Sequence, residues 1–173
     1  MNAPQKHLKT VLDYLATMKW YIAARRRCQA PVSQLFEILV KEGHEVIFNW
    51  TKMGKVGLAH ENVAKNRNLA DLMGYAITNS DVFMMMSDAE GTDMYLELGM
   101  AILNKQREQK PRVYSIGTYG YGSLMQHHPS IEHTASVMEV FMKECPEIAE
   151  KYKTEIATID DTLRNDLKTP SKI

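Results

Sequence analysis

The chain has 173 residues, 21 acidic and 21 basic side chains, and two cysteines, Cys28 and Cys145. This length suits one domain with a core large enough to need no staples, and the balanced charge supplies no global field for a nucleic acid polymer or an anionic membrane. Two cysteines make neither a disulfide framework nor a Cys-rich zinc site, no apolar run approaches the roughly 18 residues of a membrane span, and residues 1–10 lack an apolar signal core, so the expectation is a cytoplasmic protein.

Helix and strand signals alternate along the chain. Residues 7–18 carry Leu8, Val11, Leu12 and Leu15 at helical spacing, which predicts an N-terminal helical extension over residues 1–18 packed on a sheet. Residues 20–24 read as a short buried strand. Residues 31–41 form an amphipathic helix with Pro31 in its first turn and an end near Gly43. Residues 45–50 read as a second strand and 51–60 as a loop. A helix over 61–79 turns Leu69, Leu72, Met73, Ala76 and Ile77 inward. Residues 81–86 form the third strand, in which the three consecutive methionines Met84, Met85 and Met86 read as core.

The next helix covers 93–105, a fourth strand 112–116, a glycine-rich loop 117–122 and a last helix 136–143. The α/β domain so defined ends at residue 152. From Lys153 onward the chain reads as a polar, loosely ordered tail with at most a short helix over 160–167. The alternation predicts a single three-layer, doubly wound α/β domain with a mainly parallel sheet and right-handed crossovers.

The stretch Asp81-Val-Phe-Met-Met-Met-Ser-Asp-Ala-Glu-Gly-Thr-Asp-Met-Tyr-Leu-Glu-Leu-Gly-Met-Ala101 carries the strongest chemical signal. It runs from a buried strand through an acidic turn into a helix whose Glu97 stands among apolar residues. In an open α/β sheet, ligands bind beyond the carboxyl ends of the strands, where such a side chain can point. Glu97 is therefore a candidate reactive carboxylate, with a solvated helix glutamate as the plain alternative. Gly99 leaves room for close packing on the same helix. Asp88, Glu90 and Asp93 compete for the role of second carboxylate. Asp93 shares a helix face with Glu97, and two close carboxylates raise one proton affinity; Thr92 or Asp93 equally suits a helix N-cap. His127, His128 and His133 lack metal-ligand spacing and read as a loop near the site, with no metal or other cofactor expected.

Lys19-Trp-Tyr-Ile-Ala-Ala24, Phe48-Asn-Trp-Thr51, residues 81–86 and Leu96-Glu-Leu-Gly-Met-Ala101, in this order, resemble the nucleoside 2-deoxyribosyltransferase superfamily, which includes nucleotide N-glycoside hydrolases. The resemblance spans roughly residues 19–141. It implies a compact α/β domain assembled as a homodimer or larger oligomer, Glu97 as the nucleophile on an anomeric carbon, and Tyr21 as the hydroxyl that holds it. It also implies a sugar- or base-contacting role for Asp71, although the interval from Asp71 to Asp81 is longer than the family usual. Arg27, with Arg25 beside it, falls near the family's phosphate-binding position, where a guanidinium fork suits a 5'-phosphate. Ser87, Asp88, Thr92 and Asp93 complete the expected substrate-binding set. The expectation is cleavage of an N-glycosidic bond in a nucleoside 5'-monophosphate or nucleoside, tilted to hydrolysis by the arginines; sugar transfer between bases and non-catalytic nucleotide binding are the alternatives.

Overall fold

The computed structural model describes residues 17–54 and 59–168. Five strands, β1 (Lys19–Ala23), β2 (Glu45–Val46), β3 (Val82–Met86), β4 (Arg112–Ile116) and β5 (Ile131–Thr134), form one parallel sheet in the order β2-β1-β3-β4-β5. The helices are α1 (Gln29–Lys41), α2 (Val63–Asn79), α3 (Thr92–Glu108), α4 (Val137–Glu144), α5 (Pro146–Lys151) and α6 (Lys153–Lys168). The three-layer parallel α/β architecture expected from the alternation is what the chain adopts.

Strand alternation decides which layer each residue serves. Trp20 and Ile22 of β1, with Met84 and Met86 of β3, pack against α1, α4, α5 and α6. Their neighbours Tyr21, Ala23, Phe83 and Met85 face α2 and α3 on the other side. All three methionines of β3 are buried, as expected for a strand covered on both faces. The pairing of Tyr21 with Phe83 in register stacks their rings at 5.6 Å.

Four expectations are corrected. The second strand is only two residues long: after Ile47 the chain leaves the sheet edge, and Trp50 sits in a short 3-10 turn (Trp50–Lys52) with its indole N–H donating to the Ile22 carbonyl at 2.8 Å. A side chain takes the acceptor that a longer β2 would use. A fifth strand exists where only polar Glu132 and His133 separate Ile131 from Thr134, too short a run to read as a strand. Leu72, placed inward from its spacing, is exposed on α2. Finally, residues 153–168 are no loose tail: Ile156, Ile159 and Leu163 form a sparse stripe that is buried on the α1 side of the sheet. The helix predicted over residues 7–18 lies outside the described residues except for Thr17 and Met18, which are not helical. Among the described residues, no helix is long and apolar enough to cross a membrane.

The last helix also completes the fourth. Asp160 of α6 accepts hydrogen bonds from Val137 N–H at 2.7 Å and Met138 N–H at 3.1 Å, while Ser136 caps Glu139 N–H at 3.2 Å. The first-turn donors of α4, which have no partner within their own helix, are satisfied from another element. Asp160→Ala should lower stability by about 1–3 kcal/mol, the penalty for buried donors left unpaired. A denaturant melt with an unchanged midpoint would assign Asp160 no capping role.

Candidate active site

The strand order reverses beside β1, because α1 leads outward from β1 to β2 whereas β3 returns on its other side. This is the position at which doubly wound sheets open a crevice at their carboxyl edge. A cavity of about 480 Å³ lies there. Tyr21 and Glu97 stand in its wall together with Thr92 and Asp93, and Arg25, Arg26 and Arg27 flank them. Phe48, Trp50, Leu69 and Met73 supply an apolar side.

Glu97 lies on the second turn of α3, on the inward shoulder next to Met94, Leu98 and Ala101, and only 8 % of its surface is exposed. Tyr21 on β1 is buried, and its hydroxyl stands against the Glu97 carboxylate in the cavity wall. Burial pushes the Glu97 carboxyl up to about 8; the Tyr21 hydrogen bond opposes that shift and the negative charge of Asp93 adds to it. Burial likewise pushes the Tyr21 phenol far above its ordinary range, and the Glu97 charge and hydrogen bond add to the effect. Tyr21 is thus a donor that keeps its proton, and Glu97 is the group that titrates.

The arginines are held by carboxylates of the acidic turn. Arg27 pairs with Asp88, which is fully buried, and its other terminal nitrogen lies 3.8 Å from Glu90. Arg25 pairs with Glu90 at 3.3 Å. Asp88 also accepts from Glu90 N–H at 2.9 Å, and its backbone carbonyl accepts from the Tyr95 hydroxyl at 2.8 Å. Gly91 opens α3 at φ +117°, and a Cβ there would lie 3.0 Å from Arg25 Cδ. Glycine therefore meets both a backbone and a space requirement at this turn. Arg26 donates to the Met53 and Gly54 carbonyls at 2.9 and 3.4 Å, tying the segment after β2 to the cavity rim.

Of the expected site residues, Tyr21, Glu97, Arg25, Arg27, Thr92 and Asp93 are brought to one cavity. Three are not. Asp71 is exposed on α2 and is not a wall residue, because the inward face of that helix is taken by Leu69, Met73, Ala76 and Ile77. Ser87 is fully buried and donates its hydroxyl to the Ile116 carbonyl at 2.6 Å, joining β3 to β4 instead of facing a ligand. Asp88 holds Arg27. The N-cap of α3 is Gly91, without a side-chain cap, so neither Thr92 nor Asp93 serves there. The histidines also lie apart: His133 stacks on Tyr121 at 4.0 Å, and none of His127, His128 and His133 lines the cavity. Arg26, Trp50, Leu69 and Met73 are wall residues that sequence reasoning did not single out; the Phe48-Asn-Trp-Thr51 match was the available signal for Trp50.

Comparisons with protein-family models, with curated proteins and with solved structures give no match for this chain.

Proposed function

We propose that this protein cleaves the N-glycosidic bond of a nucleoside 5'-monophosphate or nucleoside, with Glu97 as the nucleophile. The observation that carries this reading is a buried Glu97 held by the Tyr21 hydroxyl in the wall of an open cavity. A Glu97 carboxylate oxygen bonds to the anomeric carbon as the carbon–nitrogen bond breaks, and the base departs with the bonding electrons and takes up a proton. Solvent entering the open cavity supplies that proton. The carboxylate offsets the oxocarbenium-like charge of the transition state and then traps it as a sugar ester. Attack of water on the same carbon, with loss of its proton to solvent, breaks the ester and restores Glu97. A second base in place of water completes a sugar transfer instead. The faces of Phe48 and Trp50 suit a planar base.

Purified protein offered ribo- and deoxyribonucleosides and their 5'-monophosphates should release free base from at least one of them. Failure to release base from any, under conditions where they bind, would replace the enzyme with a nucleotide-binding module.

A 5'-phosphate would meet Arg25 in competition with Glu90. Arg25→Ala should weaken the use of a monophosphate by about 1.5–3 kcal/mol, the scale of hydrogen bonds to charged groups, and leave the matching nucleoside nearly unaffected. Arg25 is the better test than Arg27, because removing Arg27 strands the buried Asp88 charge and destabilises the fold. Equal losses on both substrates would exclude phosphate recognition by Arg25.

A further inference from the structure

The two carboxylates of the acidic turn hold the arginines in unlike ways. Asp88 is fully buried, pairs with Arg27 and accepts the Glu90 N–H at 2.9 Å, so it belongs to the frame of the turn. The Glu90 side chain is 42 % exposed and reaches both guanidinium groups through a single oxygen: Oε2 accepts from Arg25 Nη2 at 3.3 Å and lies 3.8 Å from Arg27 Nη1. Exposed ion pairs are weak, and the strong contact to a guanidinium is the two-oxygen fork. Glu90 therefore holds Arg25 loosely.

The arginines keep their places without Glu90. Arg27 retains Asp88. The Arg25 side chain lies across Gly91, where the position of an added Cβ is 3.0 Å from Arg25 Cδ and 3.5 Å from Nη1. Glu90 itself stands between exposed Ala89 and Gly91, so rotation about its own side-chain bonds takes the carboxylate into solvent while Asp88 and the start of α3 stay as they are.

We infer that Glu90 is an internal competitor for the anion position at Arg25 and thereby decides which anions the cavity accepts: a phosphate monoester displaces it, whereas a phosphodiester or a carboxylate does not. This competition rests on the assignment of Arg25 to a 5'-phosphate given above. A tethered carboxylate is present at a high effective concentration, and a ligand arriving from solution gives up its freedom of movement to take the same place. A phosphodiester or a free carboxylate brings one negative charge, no more than Glu90 supplies, and loses the exchange. A phosphate monoester brings nearly two charges at neutral pH and three terminal oxygens, enough to fork onto Arg25 and approach Arg27 Nη1 in one placement. A neutral nucleoside leaves the Glu90 contact in place.

The test is calorimetric binding, to the full chain, of a nucleoside, its 5'-monophosphate and the methyl phosphodiester of that monophosphate. The parent should bind the monophosphate at least about tenfold more tightly than either of the others, the scale of a hydrogen bond to a charged group, and the phosphodiester no better than the nucleoside. Glu90→Gln keeps the side-chain shape and removes the charge. In that variant the phosphodiester should bind at least about threefold more tightly than the nucleoside, the scale of an exposed ion pair, and the monophosphate more tightly than it binds the parent. Tightened binding cannot come from a damaged fold. A phosphodiester that stays at the nucleoside level in Glu90→Gln overturns the inference, as does a parent that binds both phosphate ligands equally or binds none of the three. Arg25→Ala separates the two assignments. If it removes the preference for the monophosphate while Glu90→Gln changes nothing, Arg25 reads phosphate without a competitor; if it changes nothing either, phosphate is not read there and both assignments fall. A chain that binds as described but releases no base keeps the Glu90 competitor and loses only the glycosidase reading.

Discussion

Glu97→Gln protein should release free base at least about a thousandfold more slowly than the parent, a loss of about 4 kcal/mol in transition-state stabilisation, while still folding and binding ligand. The amide keeps the shape and the hydrogen bond from Tyr21 but has no negative oxygen to bond to the anomeric carbon. The loss should fall on kcat, since the interaction is made in the transition state. In the parent, the raised carboxyl imposes a second signature. With the Glu97 carboxyl near 8, only about one molecule in ten carries the nucleophilic form at pH 7, so kcat/KM should climb with pH through about 8 on its acid side. Full activity in Glu97→Gln, measured by free-base release, would remove Glu97 from the chemistry; an acid limb near the ordinary carboxyl range would remove its burial from the mechanism.

The same substitution should stabilise the protein at alkaline pH. Glu97 binds its proton more tightly when folded than the ordinary 4.5 of an unfolded carboxyl. Below pH 4.5 both states are protonated and the buried group is neutral; as pH rises from there through about 8, the unfolded chain loses its proton first and stability falls. Each tenfold displacement of a proton equilibrium is about 1.4 kcal/mol, so the full effect is on the order of a few kcal/mol. Glu97→Gln has no charge to bury. Its denaturant midpoint should match the parent near pH 4.5 and exceed it at pH 9. Parallel stability curves across that interval would show that Glu97 ionises without a burial penalty.

Asp71 and Glu97 show why part of the site was legible and part was not. Glu97 could be found because a lone carboxylate in an apolar helix stretch, just after a buried strand, breaks the helix pattern in a way that the topology can use. Asp71 sits in an equally regular helix, but the rotation of α2 against the sheet decides where it points, and that rotation puts Leu69 and Met73 toward the cavity instead. Ser87 failed for a related reason. Its place at a strand end was right, yet the neighbouring strand's Ile116 carbonyl reached its hydroxyl before a ligand could. Arg25 and Arg27 do reach the cavity, but local sequence did not reveal that Asp88 and Glu90, some sixty positions later, would hold them.

The covalent order of apolar runs, helix stripes and turn glycines determined by itself that this chain forms parallel strands with helices on both faces, because period-2 and period-3.6 burial are local properties of each segment. It also determined that the three methionines of β3 belong to the core, since Val82 to Met86 offers no polar face to water. Tertiary structure decided what depends on distant neighbours. It shortened β2 by giving the Ile22 carbonyl to Trp50, added β5, and ordered α6 through three scattered apolar residues and one carboxylate that caps α4. It also raised the proton affinity of Glu97, because that shift comes from low-dielectric surroundings assembled by β1, α2 and α3 together, and no single segment contains them.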